Sequence, residues 1–139
     1  MYIVGDIGNT ETKFCLINSK DFIIKRINLP TNKISNKKLN DVFNKLIKNF
    51  DKVEKFLFCS VVPKSFSLIK KFLSTKVKTK CYEVKDLLLT PLIKINVNYN
   101  QVGSDRLVNA ISVIDGKNNF IILDFGTATT FDVLIKNTY

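Results

Sequence analysis

The sequence predicts an α/β layered fold, and three observations lead there. Strand-like runs open the chain, helical stripes then alternate with further strands, and an Asp-apolar-Gly-polar turn near the start recurs near the end. The last two strands read as the opening hairpin of a second domain.

Residues 2–7 form a short apolar run that ends at Gly8-Asn9. Residues 12–18 and 21–28 alternate or run apolar, with Asn18-Ser19-Lys20-Asp21 as turn material between them, so a three-strand meander is expected. Beyond Pro30, Leu39, Val42, Phe43, Leu46, Ile47 and Phe50 recur at offsets of three and four, which is the apolar stripe of a helix. Val53–Val62 reads as a buried strand stopped by Pro63. Phe66, Leu68, Ile69, Phe72 and Leu73 mark a second helix, and a strand is expected near Lys80–Val84. Pro91 and the Asn-rich stretch Asn96–Asn100 break up residues 85–101. From Ser104, the stripe Leu107, Val108, Ile111 and Ile114 predicts a third helix ending at Asp115-Gly116. Phe120–Asp124 and Thr129–Ile135 are the final pair of strands.

The chain has 139 residues, 45% of them hydrophobic, which suffices for one domain with a core and the start of another. No run approaches the roughly 20 apolar residues of a bilayer span. The N-terminus lacks the pattern of a signal peptide. A soluble, cytoplasmic protein with no membrane partner is expected. Cys15, Cys59 and Cys81 show no CxxC spacing, and Cys15 and Cys59 are expected as buried, reduced thiols. The absence of histidine excludes Ser-His and Cys-His catalysis and any imidazole metal site, leaving carboxylates, lysines and tyrosines for acid–base chemistry.

The net charge of +10 raises a nucleic-acid reading, which the details oppose. Only Arg26 and Arg106 among the 22 basic residues are Arg, the side chain with the bidentate fork that nucleic-acid recognition favours. The lysines are scattered through a chain rich in Asn and Ile. No nucleic-acid partner is expected.

The internal repeat is the most informative feature. Asp6-Ile7-Gly8-Asn9-Thr10-Glu11-Thr12 returns as Asp124-Phe125-Gly126-Thr127-Ala128-Thr129-Thr130, each copy following an apolar strand and entering another. Such a turn suits a nucleotide. Glycine lets backbone N–H groups approach phosphate oxygens, Asn and Thr add neutral donors, Lys13 supplies a point charge, and a strand-end Asp can hold a hydrated cation. A plain hairpin turn is the competing reading for either copy alone.

Gly103-Ser104-Asp105-Arg106 opens the third helix. Ser104 is expected as its N-cap, where unpaired N–H groups favour anions. A capped helix start with nothing more is the alternative. The scarcity of Arg points the other way: a carboxylate beside a guanidinium can accept a hydroxyl proton while the Arg holds an anionic group.

Four motifs, Asp6-x-Gly-Asn-Thr-x-x-Lys13, Ser60-Val61-Val62-Pro63, Val102-Gly-Ser-Asp-Arg106 and Asp124-x-Gly-Thr-Ala-Thr-Thr-x-Asp132, resemble in order and spacing those of the type III pantothenate kinases. That family belongs to the actin/sugar-kinase/Hsp70-like superfamily. The resemblance implies an actin-like (ribonuclease H-like) ATPase domain over residues 1–117, with a mixed sheet flanked by helices, and the incomplete start of a second such domain over 118–139. It implies ATP-dependent phosphorylation of the pantothenate hydroxyl, the entry step to coenzyme A, with Mg²⁺ and a monovalent cation, K⁺ or NH₄⁺. Asp6, Ile7, Gly8, Asn9, Thr10, Glu11, Thr12 and Lys13 would form the first phosphate loop, with Asp6 near Mg²⁺. Thr127 would contact ATP, and Asp124 would bind the monovalent cation. Gly103, Ser104, Asp105 and Arg106 would contact pantothenate, Asp105 as general base and Arg106 on the substrate carboxylate.

The resemblance also implies a homodimer at full length. Family members continue beyond the position of Tyr139 to complete the nucleotide cleft, so the 139-residue chain alone is expected to have little activity. The family's pocket aromatic, seven positions before Gly103, falls on Asn96, and its Asn-Pro pair falls on Asn98-Tyr99. Two readings compete with the kinase: a non-catalytic nucleotide-binding relative, of the kind associated with transcriptional accessory factors, and another sugar or small-acid kinase.

Overall fold

The computed structural model describes all residues from Met1 to Tyr139, which form two compact units, Met1–Val84 and Lys85–Tyr139.

The first unit is a five-stranded mixed sheet carrying two helices. The strands β1 (Tyr2–Ile7), β2 (Glu11–Ile17) and β3 (Ile23–Pro30) form the expected antiparallel meander. Helix α1 (Asn36–Leu46) follows, then β4 (Lys55–Ser60), helix α2 (Pro63–Ser74) and the short β5 (Cys81–Glu83). The sheet order is β3-β2-β1-β4-β5, with β4 parallel to both β1 and β5.

Each helix start has a local cause. Ser35 caps α1 by accepting from the Lys38 N–H, and Pro63 supplies a preset φ at the start of α2. The stripe Leu39, Val42, Phe43 and Leu46 of α1 and Ile69, Phe72 and Leu73 of α2 share one core with Ile3, Ile7, Phe14, Leu16, Phe56 and Phe58 of the sheet. Phe14 meets Phe43 and Phe58 edge-on, and Phe43 stacks on Phe72 at 5.7 Å. Gly5 lies between Phe14 and Phe58 in the register, and a Cβ there would come within 2.3 Å of the Phe58 ring. The glycine is required by packing.

Strand alternation turns the neighbouring residues to the other face. Asp6, Lys13, Cys15 and Cys59 lie there, away from the aromatic core. Cys81 is buried, but Cys15 and Cys59 are only half-buried, which corrects the expectation for that pair. None of the three forms a disulfide.

In the second unit, helix α3 (Ser104–Val113) packs on the hairpin β6 (Asn119–Phe125) and β7 (Thr129–Ile135) through buried Leu107, Ala110 and Leu134. The helix ends before the expected Asp115, whose carboxylate instead accepts the N–H groups of Lys117 and Asn118 in a turn where Gly116 has φ 74°. Residues 94–96 pair with the chain end: Lys94 N donates to Asn137 O, Tyr139 N to Lys94 O, and Asn96 N to Tyr139 O. One face of the hairpin turns toward α3. The other carries Ile121, Leu123, Phe125, Phe131, Val133 and Ile135, all exposed. No helix is long and apolar enough to cross a membrane.

Candidate functional site

The first candidate loop joins β1 to β2. Gly8 N donates to Glu11 O at 3.0 Å, leaving Asn9 and Thr10 at the tip. None of Gly8, Asn9 and Thr10 takes a positive φ. The Gly-Asn pair is therefore not there to supply a type I′ hairpin turn, which needs positive φ at both central residues. A Cβ on Gly8 would sit 3.1 Å from Glu11 O, so the glycine serves a close backbone approach.

Thr31 pins this loop from the end of β3. Its N–H donates to Thr10 O at 2.9 Å, and its hydroxyl donates to Gly8 O at 2.7 Å. The Thr12 and Thr31 hydroxyls are 2.9 Å apart and buried. With the Thr31 proton committed to Gly8, Thr12 is the donor of that pair.

Asp6 and Lys13 face each other across the β1–β2 register, with Lys13 Nζ 3.5 Å from Asp6 Oδ2. On the other side, Cys59 Sγ donates to Asp6 Oδ1 at 3.5 Å. The lysine contact is long, the thiol is a weak donor, and the Asp6 and Lys13 side chains are nearly half exposed, so the ion pair contributes about 0–1 kcal/mol. Both groups are held in place yet weakly engaged, which leaves them open to a stronger partner. Glu11, also expected in this loop, accepts from Asn28 Nδ2 at 3.1 Å.

The second cluster lies within the second unit. Gly103, not the expected Ser104, is the N-cap of α3; its extended backbone (ψ 146°) directs its carbonyl to Leu107 N. Ser104 is instead the first helical residue and fully buried. Asp105 Oδ1 accepts the Arg106 N–H at 2.8 Å, so this carboxylate folds onto the helix N-terminus.

The Arg106 side chain goes elsewhere. Its Nε donates to Asp132 Oδ1 at 2.7 Å and its Nη2 donates to Phe131 O at 3.1 Å. Nη2 also forms an ion pair with Asp132, and the Tyr139 hydroxyl donates to the same Oδ1. The hydrogen bond to Asp132 raises the Arg106 pKa above its ordinary value. Burial, then the bond to Asp132, pushes the Tyr139 phenol up to about 12. Asp132 is 2% exposed, and its Oδ2 is buried without a partner, an arrangement that costs about 1–3 kcal/mol.

One turn along α3, Asn109 Nδ2 donates to Asp124 Oδ2 at 3.1 Å. Gly126 N donates to Ala128 O, closing the second Asp-apolar-Gly turn. A Cβ on Gly126 would meet nothing nearer than 3.7 Å, and its φ is not positive, so nothing within the chain demands glycine there.

Tyr99, at the family's Asn-Pro position, is built into its own loop. Lys85 Nζ donates to Tyr99 O and Val102 O at 2.8 Å and lies 4.7 Å from the Tyr99 ring centroid, while the Tyr99 hydroxyl donates to the Lys85 backbone carbonyl at 3.1 Å.

Within their own units, the structure joins Asp6 to Lys13 and Arg106 to β7. It does not join the Asp105 and Arg106 side chains directly. Sequence reasoning missed Thr31, Asn109 and Tyr139 as contributors, and it quoted Asp132 as the end of the fourth motif without giving it a role. A signal existed for Asp132: a carboxylate inside an apolar strand must find a cation, and the chain has only two arginines. No such signal marks Thr31 or Asn109, ordinary polar residues in a chain full of them.

A family model described as type III pantothenate kinase matches residues 2–139. A type III pantothenate kinase from Pelagibacter ubique (strain HTCC1062) is 63% identical over 139 residues, covering 100% of this chain and 56% of that protein. One from Fusobacterium nucleatum subsp. nucleatum is 31% identical over 147 residues, covering 99% of this chain and 57% of that protein. The chain thus spans little more than half the length of these curated relatives.

Proposed function

We propose that this chain, which belongs to the type III pantothenate kinase family, supplies the first phosphate loop and the substrate-side base of an enzyme that phosphorylates pantothenate from ATP. The observation that carries the reading is the family match through residues 2–139, which takes in both Asp-apolar-Gly turns and helix α3.

Phosphoryl transfer asks a protein for positioning and electrostatics rather than covalent chemistry. The loop Asp6–Lys13 offers backbone N–H groups around Gly8 to phosphate oxygens, and Lys13 neutralises their charge. Thr127, in the second turn, is a further ATP contact. Gly126 supports this reading, because a glycine with neither a packing clash nor a conformational need suits close approach by a ligand.

On the substrate side, Asp105 accepts the proton of the attacking hydroxyl, and Arg106 takes the pantothenate carboxylate beside Gly103 and Ser104. Arg106 Nη1 has no protein partner and so has donors to spare.

The residues fit the implied ions. No group of three or more Cys, Asp or Glu side chains is placed to hold a metal, so Mg²⁺ would be held by Asp6 together with ATP phosphates, a common arrangement for this ion. Asp6 has only weak contacts to give up, a long one to Lys13 and one from a thiol. Asp124 has one oxygen on Asn109 and would hold a monovalent cation, K⁺ or NH₄⁺. When bound, these ions offset phosphate charge.

We assign residues 1–117 to an actin-like first domain and 118–139 to the opening hairpin of a second. The exposed apolar face of β6 and β7 supports a hairpin that belongs to a larger sheet layer. At full family length the protein is a homodimer. Its three thiols, in no disulfide, suit the reducing cytoplasm.

The test is thermal-shift screening of this chain with Mg²⁺-ATP, pantothenate and other hydroxy acids. A shift with pantothenate above the other acids supports the reading; equal shifts, or a preference for another acid, reject the substrate.

A further inference from the structure

We propose that Asp132 is the positioning residue for Arg106, fixing the guanidinium so that its Nη1 edge is presented to the carboxylate of the substrate. The inference rests on the assignment of Arg106 to that carboxylate and goes beyond it to name what holds the arginine.

The geometry is one-sided. Asp132 Oδ1 receives Arg106 Nε, Arg106 Nη2 and the Tyr139 hydroxyl, while Oδ2 is buried with no partner. Phe131 O takes Nη2 as well. Two of the three guanidinium nitrogens are thus tied to β7, and Nη1 is left over. A long side chain that would otherwise sample many rotamers is held to one, so binding an anion costs it little further ordering.

Purely structural reasons do not account for Asp132. An apolar residue between Phe131 and Val133 would bury without leaving an unmet oxygen, and buried ion pairs are often no better for stability than apolar replacements. A buried carboxylate kept under those terms has a task. Tyr139, donating to the same oxygen, fixes the carboxylate as Asp132 fixes the arginine.

The chain's two arginines make the test clean. In the ¹⁵N-labelled 139-residue chain, the Nε–H signals of Arg26 and Arg106 are two resonances that Arg106→Lys assigns. Hydrogen exchange at Arg106 Nε should be at least about tenfold slower than at exposed Arg26. Asp132→Ala should abolish the difference, and Asp132→Asn, which keeps an acceptor oxygen, should restore part of it. The Asn variant also guards against a folding failure in the Ala variant.

The second readout is titration with pantothenate and with its neutral analogue, in which an alcohol replaces the carboxylate. Asp132→Ala and Asp132→Asn should weaken pantothenate binding, the former about tenfold, with the analogue unaffected. Equal losses for both compounds, or Arg106 exchange unchanged in the variants, overturns the positioning role. A wild-type chain whose Arg106 responds alike to both compounds, or to neither, overturns the substrate assignment, and the presenting role of Asp132 falls with it. A wild-type response to pantothenate alone that persists undiminished in both variants overturns the role of Asp132 and leaves the substrate assignment standing.

Discussion

Asp6 and Lys13 stand directly opposite each other beside the turn that joins β1 to β2, with 3.5 Å between Oδ2 and Nζ. Two residues of opposite charge, seven apart in sequence, are set side by side by a turn that glycine tightens. The separation is too long for a strong bond, so a phosphate can draw the lysine away at small cost. Lys13→Met should therefore change stability by less than about 1 kcal/mol yet weaken Mg²⁺-ATP binding about tenfold. Calorimetric titration with ATP checks this, and unchanged affinity would remove Lys13 from the phosphate site.

Thr31 supports the same turn from outside the motif. Thr31→Val keeps the shape but removes the bond to Gly8 O and leaves the buried Thr12 hydroxyl without its acceptor. A loss of about 1–3 kcal/mol in urea unfolding is expected, the cost of stranded buried polar groups. A loss below a few tenths of a kcal/mol would show that the hydroxyl pair does not hold the loop.

Gly5 is a packing requirement. A methyl group there would meet the Phe58 ring at 2.3 Å, in the centre of an aromatic core that cannot shift freely. Gly5→Ala should destabilise the chain by about 1–3 kcal/mol, and Gly126→Ala, which meets only ordinary contacts, by less than about 1 kcal/mol. Equal losses would contradict this difference in packing.

The Tyr139 phenol, pushed up to about 12, links alkaline pH to stability. A raised pKa means that the fold favours the protonated phenol. Its contribution is complete below the ordinary tyrosine value of about 10 and is lost as pH rises through about 12. Absorbance titration should show a tyrosine ionising near pH 12, and Tyr139→Phe should remove that late phase. A late phase that survives the substitution would refute the assignment.

Much of the first unit was legible in the sequence. The stripes of α1 and α2 and the meander are period signals, and Leu39, Phe43, Ile69 and Leu73 are buried as the stripes require. Period alone could not show that β4 pairs parallel with β1, which brings Cys59 beside Asp6. The repeated Asp-apolar-Gly turns were legible because their chemistry is local. The contacts that hold the site were not. Arg106 and Asp132 are 26 residues apart, Thr31 and Gly8 are 23 apart, and spacing says nothing of such pairs until the strands are placed. The N-cap of α3 was misassigned by one residue because Ser ranks high at that position, whereas here the serine is buried and the glycine begins the helix.

The most direct measurement is ADP release with pantothenate, ATP, Mg²⁺ and K⁺, in a form of the protein with the full length of its relatives, comparing the native sequence with Asp105→Asn. The expected result is pantothenate-dependent turnover that falls by about a hundredfold or more in the variant, as loss of a general base requires. Turnover that ignores pantothenate, or that Asp105→Asn leaves unchanged, would contradict the assignment.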